Sequence, residues 1–153
     1  MELGARPHEL AHDFLFVKTY DSLKLLGSAL QSLELHCGGR LAVMEVSAAM
    51  IEESGGSMND TEGFVDYPAS VDTIELCAFF RELGPEEIRV SLRSRSSYDV
   101  AAVAGRYGGG GHRKAAGLTM RASLADAKSI MIADLSELLE QGAERCPGEV
   151  SGG

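Results

Sequence analysis

Residues 108–117 read Gly-Gly-Gly-Gly-His-Arg-Lys-Ala-Ala-Gly and carry more information than any other stretch of this sequence. Four consecutive glycines permit positive φ angles and leave the backbone free of Cβ atoms. Successive N–H groups in such a segment can converge on an anion, so Gly109, Gly110 and Gly111 are candidate backbone ligands. The alternative is a helix C-cap followed by a turn, for which one glycine would be enough.

Three side chains that suit an anion follow the glycines directly. Histidine titrates near neutral pH, so His112 is a candidate phosphate donor or proton carrier. Arg113 and Lys114 add positive charge. Because the glycines follow a predicted helix, the negative end of the helix dipole lies nearby. Attraction for an anion must therefore come from the loop amides and from side chains.

Two familiar phosphate-binding motifs are excluded by spacing. A Walker A loop fails because Gly111 stands where the lysine is required, although Gly105 and Gly110 have the right separation. A GxGxxG fingerprint that begins at Gly108 fails because Arg113 occupies the position of its third glycine. The glycine run is therefore a different kind of site.

The preceding segment alternates as a half-buried strand does. Its apolar residues Ile88, Val90 and Leu92 are predicted to face the core, which places Ser91 and Arg93 on the opposite face. Guanidinium groups offer paired donors to phosphate oxygens, so Ser91 and Arg93 join the candidate site. A solvent-exposed row of arginines without a ligand is the open alternative.

Charge is concentrated in this part of the chain. The whole sequence has 14 Lys and Arg against 23 Asp and Glu, a net charge of −9, which argues against a protein that coats DNA by bulk charge. Residues 88–121 nevertheless contain seven basic residues and a single acid, Asp99, for a net charge of +6. Such a distribution favours a local anion site.

Several classes of protein are excluded. The three cysteines show no CxxC spacing, so neither a disulfide framework nor a cysteine zinc site is expected. His8 and His12 have metal-ligand spacing but lack a third ligand, and the sequence contains neither an Asp-His-His triplet nor a nucleophile elbow. The absence of an apolar run of 18 residues and of a signal-peptide core predicts a cytoplasmic chain.

The order of elements predicts an α/β (α+β) fold, a mixed β-sheet of about four to five strands flanked by helices. Strands are expected at 41–46, at 73–81 with Ile74, Leu76, Ala78 and Phe80 on one face, at 88–95 in a hairpin with the preceding strand, and at 115–120, with an extended piece at Phe64-Val65. Helices are expected at 7–17, from Asp21-Ser22 to Cys37, at 47–53 with Ser47 as its cap, up to Tyr107 with Asp99 or Ser97 as its cap, and after the cap Ser123. The second helix is predicted to bury Leu23, Leu26, Leu30 and Leu33. We divide the chain into a helical linker (1–38), a binding domain (39–141) and a disordered tail (142–153).

These motifs carry a resemblance to a known family. Ser91-Leu92-Arg93-Ser94, residues 99–104 and the GGGH-x-x-AAG element within 108–117 resemble the C-terminal DHH-associated (type 1) domain of DHH-superfamily phosphoesterases. Oligoribonucleases (nanoRNases) and nucleotide phosphatases of that superfamily are the most similar. Residues 60–68 and the segment from Arg6 onward resemble the family as well, so the resemblance covers roughly residues 6–139.

The resemblance implies a division of labour. In this family an N-terminal domain holds Asp and His ligands for two metal ions, usually manganese, and the C-terminal domain holds the terminal phosphate of the substrate. This chain then corresponds to the substrate-binding part, with His112 and Arg93 as phosphate ligands and residues 109–111 lining the pocket. It would contain no catalytic or metal-binding residue, and its partner would be the DHH catalytic domain, where Mn²⁺ is expected.

Other interpretations stay open. The substrate can be a short RNA, 3′-phosphoadenosine 5′-phosphate or a dinucleotide. The chain can also be a self-sufficient metal-dependent nuclease or phosphatase. Alternatively, it can be an interaction module whose N-terminal helices form a homodimer.

Overall fold

A computed structural model of the protein describes the backbone of residues 18–152 and the side chains of residues 18–142. Within these residues the strands are β1 Glu34–His36, β2 Leu41–Val46, β3 Leu76–Gly84, β4 Glu87–Ser94, β5 Gly110–His112 and β6 Ala115–Met120. They form one six-stranded sheet in the order β1-β2-β3-β4-β6-β5. Strands β2 and β3 are parallel and the other neighbours are antiparallel. The predicted mixed sheet is confirmed, with two short edge strands, β1 and β5, that the sequence did not indicate.

The helices in the described part of the chain are α1 Tyr20–Gln31, α2 Ala48–Ser54, α3 Asp66–Ala69, α4 Val100–Gly105 and α5 Leu124–Gly152, with 3-10 turns at Cys37–Gly39 and Met58–Thr61. The predicted caps Ser47, Asp99 and Ser123 are confirmed, since each side chain accepts a backbone N–H in the first turn of its helix. The helix predicted at 7–17 lies outside the described residues.

Helix α1 differs from its prediction at both ends and in its buried face. Thr19 caps it, in place of Asp21 or Ser22, and it ends at Gln31 because the following residues pair as β1 with β2. Leu25 and Ala29 are fully buried, whereas the side chains of Leu23 and Leu30 are 53% and 39% exposed. The predicted leucine stripe is wrong for Leu23 and Leu30, whereas Leu26 and Leu33 are partly buried against the core. The leucine-rich segment fits two helical faces, and contact with the sheet selects the one that carries Leu25 and Ala29.

The sheet has an apolar cluster on each face. On one side Val90, Leu92 and their neighbours pack against α4 and α5, as the alternation of β4 predicts. On the other side Phe79 packs with residues of α1 and with Phe64 and Val65. Phe64 and Val65 are buried in turns, so the predicted extended piece is wrong. Ile74 also belongs to this second cluster and not, as predicted, to the face of Leu76.

The two layers cover the sheet unequally, and this positions the candidate site. Helix α1 packs on β2, and α3 contacts β3 and β4. Beyond them Arg89 of β4, Thr119 of β6 and all three residues of β5 are exposed. One face of the β4-β6-β5 half is therefore open to solvent.

Helix α5 continues through residues 142–152, for which the sequence predicts a disordered tail. A glycine inside a helix costs about 1 kcal/mol, which does not by itself end the helix at Gly142. Among the helices of residues 18–152, none is long and apolar enough to cross a membrane.

Candidate phosphate-binding site

The first glycine of the run ends helix α4. The backbone N–H of Gly109 donates to the carbonyl of Ala104 (2.9 Å), and that of Gly108 donates to the carbonyl of Gly105 (3.2 Å). Gly108 has a φ of 79°. This pair of bonds around a left-handed residue is a Schellman motif, which satisfies carbonyls at the helix end. The helix-cap interpretation therefore accounts for Gly108.

Two further glycines let β5 approach β6. A Cβ on Gly109 would lie 2.2 Å from the carbonyl oxygen of Gly117, and a Cβ on Gly111 would lie 2.6 Å from that of Ala115. Gly110 is different, because a Cβ there would meet no atom within 4 Å. Gly108 also meets no atom within 4 Å, but it is the left-handed residue of the helix cap, so Gly110 is the glycine of β5 that leaves open space beside its Cα for a ligand.

The strand register brings His112 and Arg93 onto the same face of the sheet. His112 pairs with Ala115, and Ala115 pairs with Arg93. Residues paired directly across antiparallel strands have their side chains on the same face. With neighbouring strands 4.7–4.9 Å apart, the Cα atoms of His112 and Arg93 are about 10 Å from each other. The predicted phosphate ligands therefore share one surface.

A parallel row of small residues lies beside them. Gly110 pairs with Gly117, Gly117 with Ser91, and Ser91 with Phe79. We call the surface formed by Ser91, Arg93, Gly110, His112, Ala115 and Gly117 the open face. Its floor consists of glycine and alanine between two basic side chains, so a flat anionic ligand can approach the backbone closely.

Arg93 is held in place by the segment that precedes β3. Its Nε lies 3.4 Å from Oδ1 of Asp66, in α3, and its Nη1 donates to the carbonyl of Leu92 (3.1 Å). The Asp66 side chain is 66% exposed, so this ion pair is weak. A guanidinium has five N–H donors, and two bonds therefore leave donors of Arg93 for a ligand.

Sequence analysis missed one basic residue at this site, Arg81 of β3. Its Nη2 donates to Oγ of Ser91 (3.1 Å), and its guanidinium carbon lies 5.7 Å from the centre of the Phe79 ring. Burial lowers the pKa of Arg81, and the charge of Arg89 acts in the same direction. The sequence feature that could have identified Arg81 was the predicted hairpin of β3 and β4, because it pairs Arg81 with Arg89. Arg81 lies outside the basic segment 88–121 that the charge distribution singles out.

Arg113 and Lys114 lie in the turn between β5 and β6, outside the paired residues of the open face. Nε and Nη2 of Arg113 donate to the carbonyl of Ser97 at 3.1 and 2.8 Å. Arg113 thereby lines a separate cavity of about 450 Å³ with Tyr98, on the α4 side of the sheet. Lys114 is an exposed turn residue whose carbonyl accepts the N–H of Ser94.

Within residues 18–142 no group of three or more His, Cys, Asp or Glu side chains could hold a metal ion. The described residues therefore do not fit a metal centre of the kind that activates water. What the open face can do chemically is bind an anion through guanidinium, imidazole, hydroxyl and amide donors.

The model of the DHHA1 domain family matches residues 38–141 of this chain. The bifunctional oligoribonuclease and PAP phosphatase NrnA of Thermus thermophilus is 33% identical over 98 residues, which are 64% of this chain and 28% of that protein. A protein of Streptococcus mutans described as a probable bifunctional oligoribonuclease and PAP phosphatase NrnA is 31% identical over 98 residues, 64% of this chain and 31% of its own length. The chain thus spans about a third of the curated relatives that it matches.

Solved structures share the fold. An exopolyphosphatase-related protein from Bacteroides fragilis superposes with a TM-score of 0.77 at 23% identity, over 90% of this chain and 39% of that one. The pGpG-specific phosphodiesterase PggH from Vibrio cholerae superposes with a TM-score of 0.52 at 16% identity, over 78% and 39% of the two chains. At these identities the likeness concerns the fold alone.

Proposed function

The chain belongs to the DHHA1 domain family, and from this premise we propose that it binds the phosphate end of short RNA oligonucleotides or phosphorylated nucleotides for a DHH phosphoesterase. DHHA1 domains are parts of DHH phosphoesterases, and the curated relatives are named as oligoribonucleases and PAP phosphatases. Such substrates carry the charge and the flat bases that the open face suits.

The observation that carries the proposal is the row His112–Ala115–Arg93 on an exposed sheet face. A hydrogen bond to a charged group contributes about 1.5–3 kcal/mol. Two of them, from His112 and Arg93, correspond to a dissociation constant of millimolar order. We therefore expect weak binding by this chain alone.

Catalysis belongs, in this proposal, to a separate N-terminal DHH domain. DHH phosphoesterases are metal-dependent, and the described residues here offer no fitting metal site. We assign Mn²⁺ and the hydrolytic step to that domain, which is the proposed protein partner. The chain alone is expected to bind substrate without turnover. The free thiols of Cys37 and Cys77 support a cytoplasmic location.

The test is a titration of the ¹⁵N-labelled chain with a 5′-phosphorylated diribonucleotide, followed by amide chemical shifts. We expect the largest shifts at Gly110, His112 and Ala115, and we expect R93A to weaken binding several-fold. R121A is the matched control, since Arg121 is an exposed arginine beyond the end of β6. Shifts that are absent at millimolar ligand, or equal loss in both variants, contradict the proposal. Turnover of the ligand by this chain with Mn²⁺ would favour a self-sufficient enzyme.

Exposed leucines favour a homodimer as a second candidate role. Leu23 and Leu30 lie seven residues apart on α1, and Leu35 of β1 is 57% exposed. Light scattering of the chain and of its L23D/L30D variant tests this contact, because only an α1-mediated dimer would dissociate. A monomeric wild-type chain would exclude it.

A further inference from the structure

Arg81 lies where the open face meets the segment that covers the rest of the sheet. Together with Ser91, Arg93, Phe79, Gly63 and Glu62 it lines a small cavity of about 80 Å³. A water molecule in the liquid occupies about 30 Å³. The cavity therefore has room for a few water molecules or a small oxyanion.

The charge of this cavity is only partly compensated. Arg93 has Asp66 as an ion-pair partner, whereas no carboxylate lies within ion-pair distance of Arg81 in the described part of the chain. The Nε of Arg81 is buried and has no hydrogen-bond partner there. Glu62 attracts Arg81 from a longer range, and Arg89 repels it. A buried cation without an ion-pair partner is costly. An anion in the cavity would offset that charge through the guanidinium as a whole, whose recorded hydrogen bond uses only one of its five N–H donors.

Ser91 is oriented for the same anion. Its Oγ accepts a hydrogen bond from Nη2 of Arg81 at 3.1 Å. A hydroxyl that accepts one bond keeps its own O–H for donation. Arg81 thus holds Ser91 so that the hydroxyl can donate to a ligand beside Arg93.

We propose that Arg81 and Ser91 form a second anion subsite, with Arg93 between it and His112, and that this subsite takes a phosphate of the ligand other than the one bound by Arg93 and His112. Strand β3 lies three positions from β5 in the sheet, about 14 Å across the strands, and Arg81 lies two residues beyond Phe79, which ends the row of Gly110. The two subsites therefore lie at different places on this sheet face, and we expect the second one to favour ligands that carry two separate phosphates. In its choice of ligand this inference rests on the proposed function.

The subsite can be tested with inorganic phosphate alone, which separates it from the proposed function. We expect phosphate to shift the side-chain Nε–H signal of Arg81 and the amide signals of Ser91 and Phe79. The R81Q variant keeps a donor for Ser91 and removes the charge, and we expect it to weaken phosphate binding about tenfold. R81K should recover part of the loss. R89Q is the matched control, because Arg89 pairs with Arg81 in the sheet but is exposed.

Nucleotides then test the selectivity. We expect R81Q to weaken a 5′-phosphorylated diribonucleotide about tenfold and a 5′-mononucleotide less than twofold. Three results would each overturn the subsite. They are equal weakening of both ligands by R81Q, equal effects of R81Q and R89Q, and an Arg81 signal that phosphate leaves unchanged. Phosphate binding at Arg81 without nucleotide binding would contradict only the proposed function. Nucleotide binding that R93A weakens and R81Q does not would contradict only the subsite. Urea unfolding of each variant verifies that it is folded.

Discussion

Alanine substitutions at Gly109 and Gly110 separate the glycine that builds the hairpin from the glycine that faces a ligand. A methyl group on Gly109 would lie 2.2 Å from the carbonyl oxygen of Gly117 and 2.7 Å from Cβ of Leu118. Both atoms belong to strand β6, so the clash is relieved only if β5 moves away from it. We expect G109A to lose about 2–3 kcal/mol of unfolding free energy, the upper part of the range for overpacking.

Gly110 has the opposite expectation. A Cβ there meets no atom within 4 Å, and its φ lies outside the left-handed region. Replacing glycine by alanine at a compatible site stabilises a protein by about 0.4–1 kcal/mol, because the unfolded chain loses freedom. The new methyl group would stand on the open face, next to His112 and across from Gly117. We therefore expect G110A to be as stable as the wild type or more stable, and to bind the diribonucleotide several-fold more weakly.

Urea unfolding and the amide-shift titration measure the two effects on the same samples. With a slope near 2 kcal/mol/M, the G109A midpoint falls by about 1–1.5 M and the G110A midpoint rises by about 0.2–0.5 M. The reasoning fails if G110A is the less stable variant, or if G109A unfolds at the wild-type midpoint. A stable G110A variant with unchanged affinity would remove Gly110 from the site and leave the fold intact.

Two further expectations concern the core. L25A should cost about 2–5 kcal/mol and L23A less than about 0.5 kcal/mol, because Leu25 is fully buried and Leu23 is 53% exposed; equal losses in urea unfolding would restore the predicted leucine stripe. Burial raises the pKa of Cys77 from 9.0 to about 12. In the pH window between these two values the thiol stays protonated in the folded chain and loses its proton in the unfolded chain. Stability should therefore fall as pH rises through that window, by about 1 kcal/mol between pH 9 and 10, and C77A should lack this component in urea unfolding at the two pH values.

Much of the fold could be predicted from short segments. The alternation of Ile88, Val90 and Leu92, the caps Ser47 and Asp99, and the strand 115–120 are local patterns, and each is confirmed. The edge strands β1 and β5 were missed because three residues show no periodicity. In β5 two of those residues are glycines, which carry no side chain to alternate.

For the candidate site, the sequence predicted the region but not which residues share a surface. The Ser-Arg strand and the glycine–histidine run marked the region, because unusual residue types stand out without any tertiary information. Which of those residues share a surface was not visible, since Arg113 bonds to Ser97 while Arg81, eight positions before Arg89, joins the face. Side chains meet there through strand pairing, which links residues that are distant in sequence.

The sequence by itself determined the family, the mixed α/β class and the basic segment around the glycine run, because each depends on residue type and local spacing. Only the tertiary structure decided that His112 and Arg93 lie in one row, that Gly110 is the glycine of β5 with open space beside it, and that Arg81 bonds to Ser91 on the same face. The physical reason is that a sheet sets the neighbours of a side chain by register across strands, and register follows from packing both faces of the sheet at once.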